Sequence, residues 1–390
     1  MTSISRAGEA SRALPATVLD SRSPGRGGLL RAFSVGDAIV RLRRGRRVAR
    51  GRPVPTLVLR LAIHRISFLR PSEKRRLEAA VAGGVELSSL SFSTMERIVG
   101  RLVRSRDWHP ERLLDLAEAD LRFLDRSGSR YLSPDDPEYP PLLREIHEPP
   151  YGLFVRGAPL VATRPSLAIV GTRSATGRGM SLASAFGRDA ALAGLPVVSG
   201  LARGIDAAAH RGAIAAKRLD EGAAPTVAVL PVGVDSVYPH SHRPLASAIL
   251  ERGGSLVSEY PSGESPMTWR FPERNRVIAG MARATLVVEA PDASGALITA
   301  HHALDEGRDV CVVLGNLGGP MNAGADRLAS EGAIPLSSLD ELLSEWGCSI
   351  PRVKCGTERD RRSGGDGESR GCEAALLADA LRAELGLEGS

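Results

Sequence analysis

With 390 residues, 43% hydrophobic and 25% charged, the chain is long enough for two or three domains around a full core and too long for a disulfide-stapled module. That balance sets aside collagen-like, wholly disordered and membrane-embedded classes, and no stretch approaches the ~18 uninterrupted apolar residues of a membrane span. The net charge of +6 is uneven: residues 1–60 hold thirteen Arg against three acids, and the rest carries 38 bases against 42 acids, so any nucleic-acid site there has to be a local cluster.

Residues 1–56, with the run RLRRGRRVARGR ending at Arg52, read as a flexible Arg-rich arm. The opening MTSISRAGEASRALP has Arg and Glu where a secretory signal needs an apolar core, so a cytoplasmic protein is expected. Over 57–125 apolar residues recur at three and four spacing, which predicts a small domain of short helices; Pro71, Ser72 and Glu73 make one helix start, and a further helix runs from Pro110 to Leu124. The prolines between Arg130 and Gly157 forbid a continuous helix, so 126–164 reads as a structured connector.

From 165 to 347 the pattern changes. LAIVG (167–171), LPVVSG (195–200), TVAVLPV (226–232), SLVSEY (255–260), TLVVEA (285–290) and DVCVVL (309–314) alternate with helix-length stretches. Strands covered on both faces read as continuous apolar runs, so the fold class is α/β with a Rossmann-like, doubly wound, mostly parallel sheet. Ligands of such sheets sit at the carboxyl ends of the strands, which puts the loops after Val170, Val198, Val232, Tyr260 and Leu314 on one rim. Residues 348–390 read as a flexible tail with a short C-terminal helix. The four cysteines form no CxxC pair, and neither a metal site nor any chemistry is expected of them.

The rim loops carry the unusual residues. Gly171-Thr172-Arg173-Ser174-Ala175-Thr176-Gly177 is neither GxGxxG nor a GxxxxGK[ST] loop, and Ser199-Gly200 stands where a nicotinamide enzyme holds its ribose with an acid; no cofactor is expected. A small-residue turn entering a helix still offers backbone amides to an anion, with the Arg173 fork beside it. Asp206, in a helix's first turn, has the simpler reading of complementing the helix dipole. In Trp269-Arg270-Phe271-Pro272-Glu273-Arg274-Asn275-Arg276, Pro272 suits a helix's first position, and Arg270, Arg274 and Arg276 surround an aromatic. Cations for a backbone and a π-face for a base are what a single strand of nucleic acid requires. The plainer alternative is a solvated helix start with Phe271 in the core.

AIVGTR, VVSGLARGIDAAAHRGAI, GVDSVYP, SEYPSG, FPERNRVIAG, LVVEA, SGALITAHHALDEGRDV and GADRLASEGAIPL follow one another in this order. In them the chain resembles the DNA-processing protein A (DprA/Smf) family, over roughly Leu57 to Trp346. The resemblance implies a Rossmann-like domain after a small helical, SAM-like one, a single-stranded DNA-binding protein that protects incoming DNA and helps load the RecA recombinase in natural transformation and recombination, and a homodimer. It matches Gly171, Thr172 and Arg173 to a basic pocket, Ser199 and Gly200 to the turn beside it, and Phe271, Arg274, Asn275 and Arg276 to a stacking and phosphate-binding segment.

The chain departs from the family at Arg178, Pro231, His242, Leu314-Gly315-Asn316-Leu317 and Asp326. A closing winged-helix-like domain is expected to be absent or reduced to one helix. No nucleophile beside a base, metal-ligand cluster or paired carboxylates are visible, so no enzyme and no catalytic residue are expected. Two other roles fit the same fold: a nucleoside-monophosphate hydrolase, whose phosphate loop Leu314 to Gly319 faintly matches without its acid, and a nucleotide-sensing module.

Overall fold

The computed structural model describes residues 57–105, 108–160, 165–316, 319 and 321–347. The expectations for the arm at 1–56 and the tail at 348–390 lie outside the described residues, as does part of the Leu314–Gly319 loop.

Four helices come first: α1 (Leu57–His64), α2 (Pro71–Ala82), α3 (Phe92–Val99) and α4 (Pro110–Ser127). The start of α2 follows from local chemistry. Pro71 takes the first position and the Glu73 carboxylate accepts the Arg70 backbone N–H at 2.8 Å, satisfying a donor beside the helix's first turn. Ser91 does the same for α3 by accepting from the Thr94 N–H.

From residue 167 strands and helices alternate: β3 (Leu167–Val170), α6 (Gly177–Leu192), β4 (Val197–Ser199), α7 (Ile205–Leu219), β5 (Thr226–Leu230), α8 (Arg243–Glu251), β6 (Ser255–Ser258), α9 (Arg270–Met281), β7 (Ala284–Val287), α10 (Gly295–Asp305), β8 (Asp309–Val313), α11 (Ala323–Ser330), β9 (Ile334–Leu336) and α12 (Leu339–Glu345). The connector before them supplies β1 (Arg130–Leu132), the single turn α5 (Pro141–Arg144) and β2 (Leu153–Gly157). The nine strands form one sheet in the order β1-β2-β6-β5-β4-β3-β7-β8-β9. β3 to β9 pair in parallel, and β2 joins β6 antiparallel, with Phe154 opposite Ser258.

All six apolar runs are strands. The antiparallel edge was not legible, because three-residue β1 and proline-bounded β2 show no period of their own.

Alternation along the strands assigns the two faces. Leu167 and Ile169 pack with α6, α7 and α12, while Ala168 and Val170 pack with α9, α10 and α11. Leu61, Ile63, Leu77 and Met95 share a buried cluster with Phe154, Leu201, Leu230 and Leu256, so the helical region is docked on the sheet by a continuous apolar core. The chain lays down β3, β4, β5 and β6 in one direction and then returns to place β7 on the other side of β3. The strand order therefore reverses between β3 and β7, where doubly wound sheets open a crevice.

Candidate nucleic-acid interface

A cleft of about 630 Å³ opens at that reversal, lined by the loop after β3, the start of α7, the first turns of α9 and the entry to α10. Six of the ten expected residues line it: Gly171, Thr172, Arg173, Phe271, Arg274 and Asn275.

The loop after β3 is held against the loop after β7: the Thr172 N–H donates to the Glu289 carbonyl at 2.7 Å, and the Ile205 N–H donates to the Thr172 carbonyl. This leaves the Arg173 guanidinium over the Phe271 ring, 5.1 Å from its centroid. Tyr238, 37% exposed, meets Phe271 edge-on, its ring centroid 5.4 Å from that of Phe271. Among the described residues no carboxylate pairs with Arg173 at salt-bridge distance.

Arg274 lines the same cleft at only 5% exposure. Its Nη1 donates to the Val229 carbonyl at 2.5 Å, and its buried Nε has no hydrogen-bond partner among the described residues. Burial draws its pKa down to about 10, opposed by Asp206 and assisted by Arg173, so the guanidinium stays protonated at neutral pH. Gly200 makes room for it: a Cβ there would strike the guanidinium nitrogens and Cζ. Asn275 donates from Nδ2 to the Gly295 carbonyl at 3.2 Å, which anchors α9 to the start of α10.

Asp206 does more than complement a dipole. Its buried carboxylate accepts the Gly200 and Ala202 N–H groups at 3.1 and 3.3 Å and so holds the turn in which Leu201 is left-handed, at φ 55°. Burial raises its pKa, while Arg274, those two amides and Arg173 pull the other way. The fold needs this acid to place Gly200 and hence Arg274.

Four expected residues are placed elsewhere. Ser199 is fully buried and donates to the Ile169 carbonyl at 2.7 Å, joining two strands, and Gly200 serves the cleft only by admitting Arg274. Arg270 is bound by Glu264 at 2.6 Å and the Ser265 carbonyl at 2.9 Å. Arg276 donates to the Glu148 carbonyl at 2.8 Å and to both oxygens of Glu259 at 2.7 and 2.5 Å. The helical period explains the division: residues two apart on a helix point about 200° apart, so Arg274 and Arg276 cannot share a face. α9 begins at Arg270, two residues earlier than Pro272 suggested.

The anion-binding expectation for the turn after β3 is corrected as well. Glu289, 1% exposed, accepts the Thr176 N–H at 3.1 Å and its hydroxyl at 3.0 Å. It lies so near Gly179 that a Cβ there would meet its carboxylate. The N-terminus of α6 is thus already served by the protein's own anion. Sequence reasoning missed Glu289 because it closes the apolar run TLVVEA and reads as a strand end; an acid directly after a buried strand was the available signal. Tyr238 was visible only as part of GVDSVYP.

Among the described residues no group of three or more His, Cys, Asp and Glu is placed to hold a metal ion, and no helix is long and apolar enough to cross a membrane. His210, within the AAAH stretch, is fully buried away from the cleft lining and bonded to the Thr226 hydroxyl at 2.7 Å; burial lowers its pKa to about 3.

Comparison with known proteins follows the same stretch of chain. The family model described as DNA recombination-mediator protein A matches residues 130–347. Protein Smf of Escherichia coli is 37% identical over 226 residues, 58% of this chain and 59% of that protein. Protein Smf of Synechocystis is 35% identical over 309 residues, 78% of this chain and 72% of that one. The X-ray structure of DNA processing protein A from Streptococcus pneumoniae superposes with a TM-score of 0.60 at 30% identity, covering 75% of this chain and 99% of that one. The chain therefore spans between about three fifths and three quarters of the length of these two curated relatives.

Proposed function

The chain belongs to the DNA recombination-mediator protein A family, and from that membership and the cleft we infer that it binds single-stranded DNA at the β3/β7 crevice. The observation that carries the reading is Arg173 stacked over Phe271 beside the buried, incompletely paired Arg274. Two guanidinium groups with no carboxylate at salt-bridge distance among the described residues favour phosphate oxygens, and the Phe271 and Tyr238 rings offer faces and edges to unstacked bases. A duplex keeps its bases stacked and cannot use those rings.

On this reading the protein is a DNA-processing protein of recombination and transformation. It shields incoming strands and helps hand them to the RecA recombinase, acts as a homodimer in the cytoplasm, and is a binding protein rather than an enzyme. The engagement of Glu289 with Thr176 counts against a hydrolase, since that carboxylate is spent on α6.

The test is a fluorescence-anisotropy titration of labelled oligothymidine at several salt concentrations. Wild type is expected to prefer the single strand over duplex and to lose affinity linearly in log salt. Equal binding by wild type and Arg173→Ala would remove the cleft assignment. Loss of all binding on deleting residues 1–56 would move the site to the arm. Stabilisation by a mononucleotide but not by an oligonucleotide would favour a nucleotide sensor.

A further inference from the structure

Beyond the cleft lining, one large aromatic side chain stands at the rim with no packing role to explain its exposure. Trp269 is 52% exposed and follows Thr268, which lines the cleft. Its indole meets Tyr260 edge-on with centroids 6.3 Å apart, and the Arg270 guanidinium lies 5.1 Å from its centroid and 4.5 Å from that of Tyr260.

The support beneath the indole is fixed. Glu264 and the Ser265 carbonyl hold Arg270, and Arg65, just after α1, reaches Glu264 at 3.5 Å while pairing with buried Asp120 at 2.6 and 2.7 Å. The Tyr260 hydroxyl donates to Glu273 at 2.9 Å. A cation and a phenol ring thus orient the indole from the protein side, leaving the rest of its surface in water.

Position and chemistry point to one occupant. Aromatics follow the strand order along the rim: half-buried Phe271 beside Arg173 over β3, exposed Tyr238 after β5, and exposed Trp269 against buried Tyr260 after β6. Arg270 is already neutralised by Glu264, so this end offers a π-face and little net charge, which suits a base better than a phosphate.

We propose that Trp269 is a second stacking platform, which takes a base of the single strand where it leaves the cleft toward the β6 end of the rim. The proposal rests on the reading of the cleft as a single-strand site, and it makes the binding site longer than the cleft itself.

The experiment compares wild type, Trp269→Ala, Trp269→Phe and Arg173→Ala of the full chain with oligothymidines of about 4 and about 16 nucleotides, the range of single-strand site sizes. Trp269→Ala should bind the longer oligonucleotide about 5- to 150-fold more weakly, the loss of one stacked base. It should bind the shorter one like wild type, with the salt dependence unchanged because no phosphate contact is removed. Trp269→Phe should recover most of the loss, and the longer oligonucleotide should quench tryptophan fluorescence in wild type but not in Trp269→Phe. Equal affinity of wild type and Trp269→Ala for the longer strand would overturn the platform and favour a protein-docking role for the ring, even with Arg173→Ala defective. Wild-type affinity in Arg173→Ala would instead overturn the cleft reading.

Discussion

The two sides of α9 carry similar residues to opposite ends. On the cleft side Arg274 lies beside Arg173 and Phe271 with no carboxylate at salt-bridge distance among the described residues; its Nε lacks a hydrogen-bond partner, as does that of Arg270, so the missing carboxylate is the difference. On the other side Arg276 is locked to Glu259 and the Glu148 carbonyl, and at the helix's start Arg270 is locked to Glu264. A count of arginines does not separate these uses, whereas their pairing does. A guanidinium matched with a carboxylate in the fold has little left for phosphate, and one left unmatched at a crevice keeps its donors for a ligand.

The sharpest way to break this comparison is to remove the paired arginine. Arg276→Ala leaves Glu259 largely buried without its partner and should lower stability by about 3 kcal/mol in urea unfolding, while the affinity of the folded fraction for oligothymidine stays within about twofold of wild type. A large affinity loss with unchanged stability would mean that the two sides had been assigned the wrong way round.

Arg173→Ala should do the reverse. Stability should stay within about 0.5 kcal/mol, because the side chain is exposed. Binding should weaken by about 2 kcal/mol, roughly thirtyfold, and the log–log salt slope should shrink by about 1, both read from one anisotropy series.

The third test is pH. His210 is held neutral by burial first and then by His242 and Arg274, its pKa lowered to about 3. As pH falls from about 6.5 toward 3 the unfolded chain takes up a proton that the fold refuses, so stability is lost on acidification by about 1.4 kcal/mol per pH unit for this group. His64, also lowered to about 3 by burial, adds a parallel loss. In thermal melts across this range His210→Gln should flatten the slope by the contribution of one group. The smallest effect is expected of Gly200→Ala, whose methyl displaces the Arg274 guanidinium: about 1 kcal/mol of stability, together with a measurable loss of oligothymidine affinity.

Much of the architecture could be read from residue order alone. Six apolar runs between Leu167 and Leu314 became six parallel strands, and Pro71 with Glu73 marked the start of α2. Both rest on forces that act within a few residues, the apolar period and the satisfaction of terminal N–H groups. The family resemblance lay in contiguous motifs and was equally accessible. The edge strands β1 and β2 were not, since β2 pairs with β6 across about a hundred residues of chain and β1 pairs only with β2.

The site divides along the same line. That Arg173, Phe271 and Arg274 belong to one rim followed from the order of strands and loops. The helical period already set Arg274 and Arg276 on different faces, although composition grouped them. What only the assembled structure decided is which charges are spent: Glu259 on Arg276, Glu264 on Arg270, Glu289 on the start of α6, Asp206 on the Gly200 turn. Each partner comes from another element or from across a turn, and an electrostatic match is made only when the fold brings donor and acceptor within about 3 Å. Local sequence carries the donors, and long-range contact determines which of them remain available.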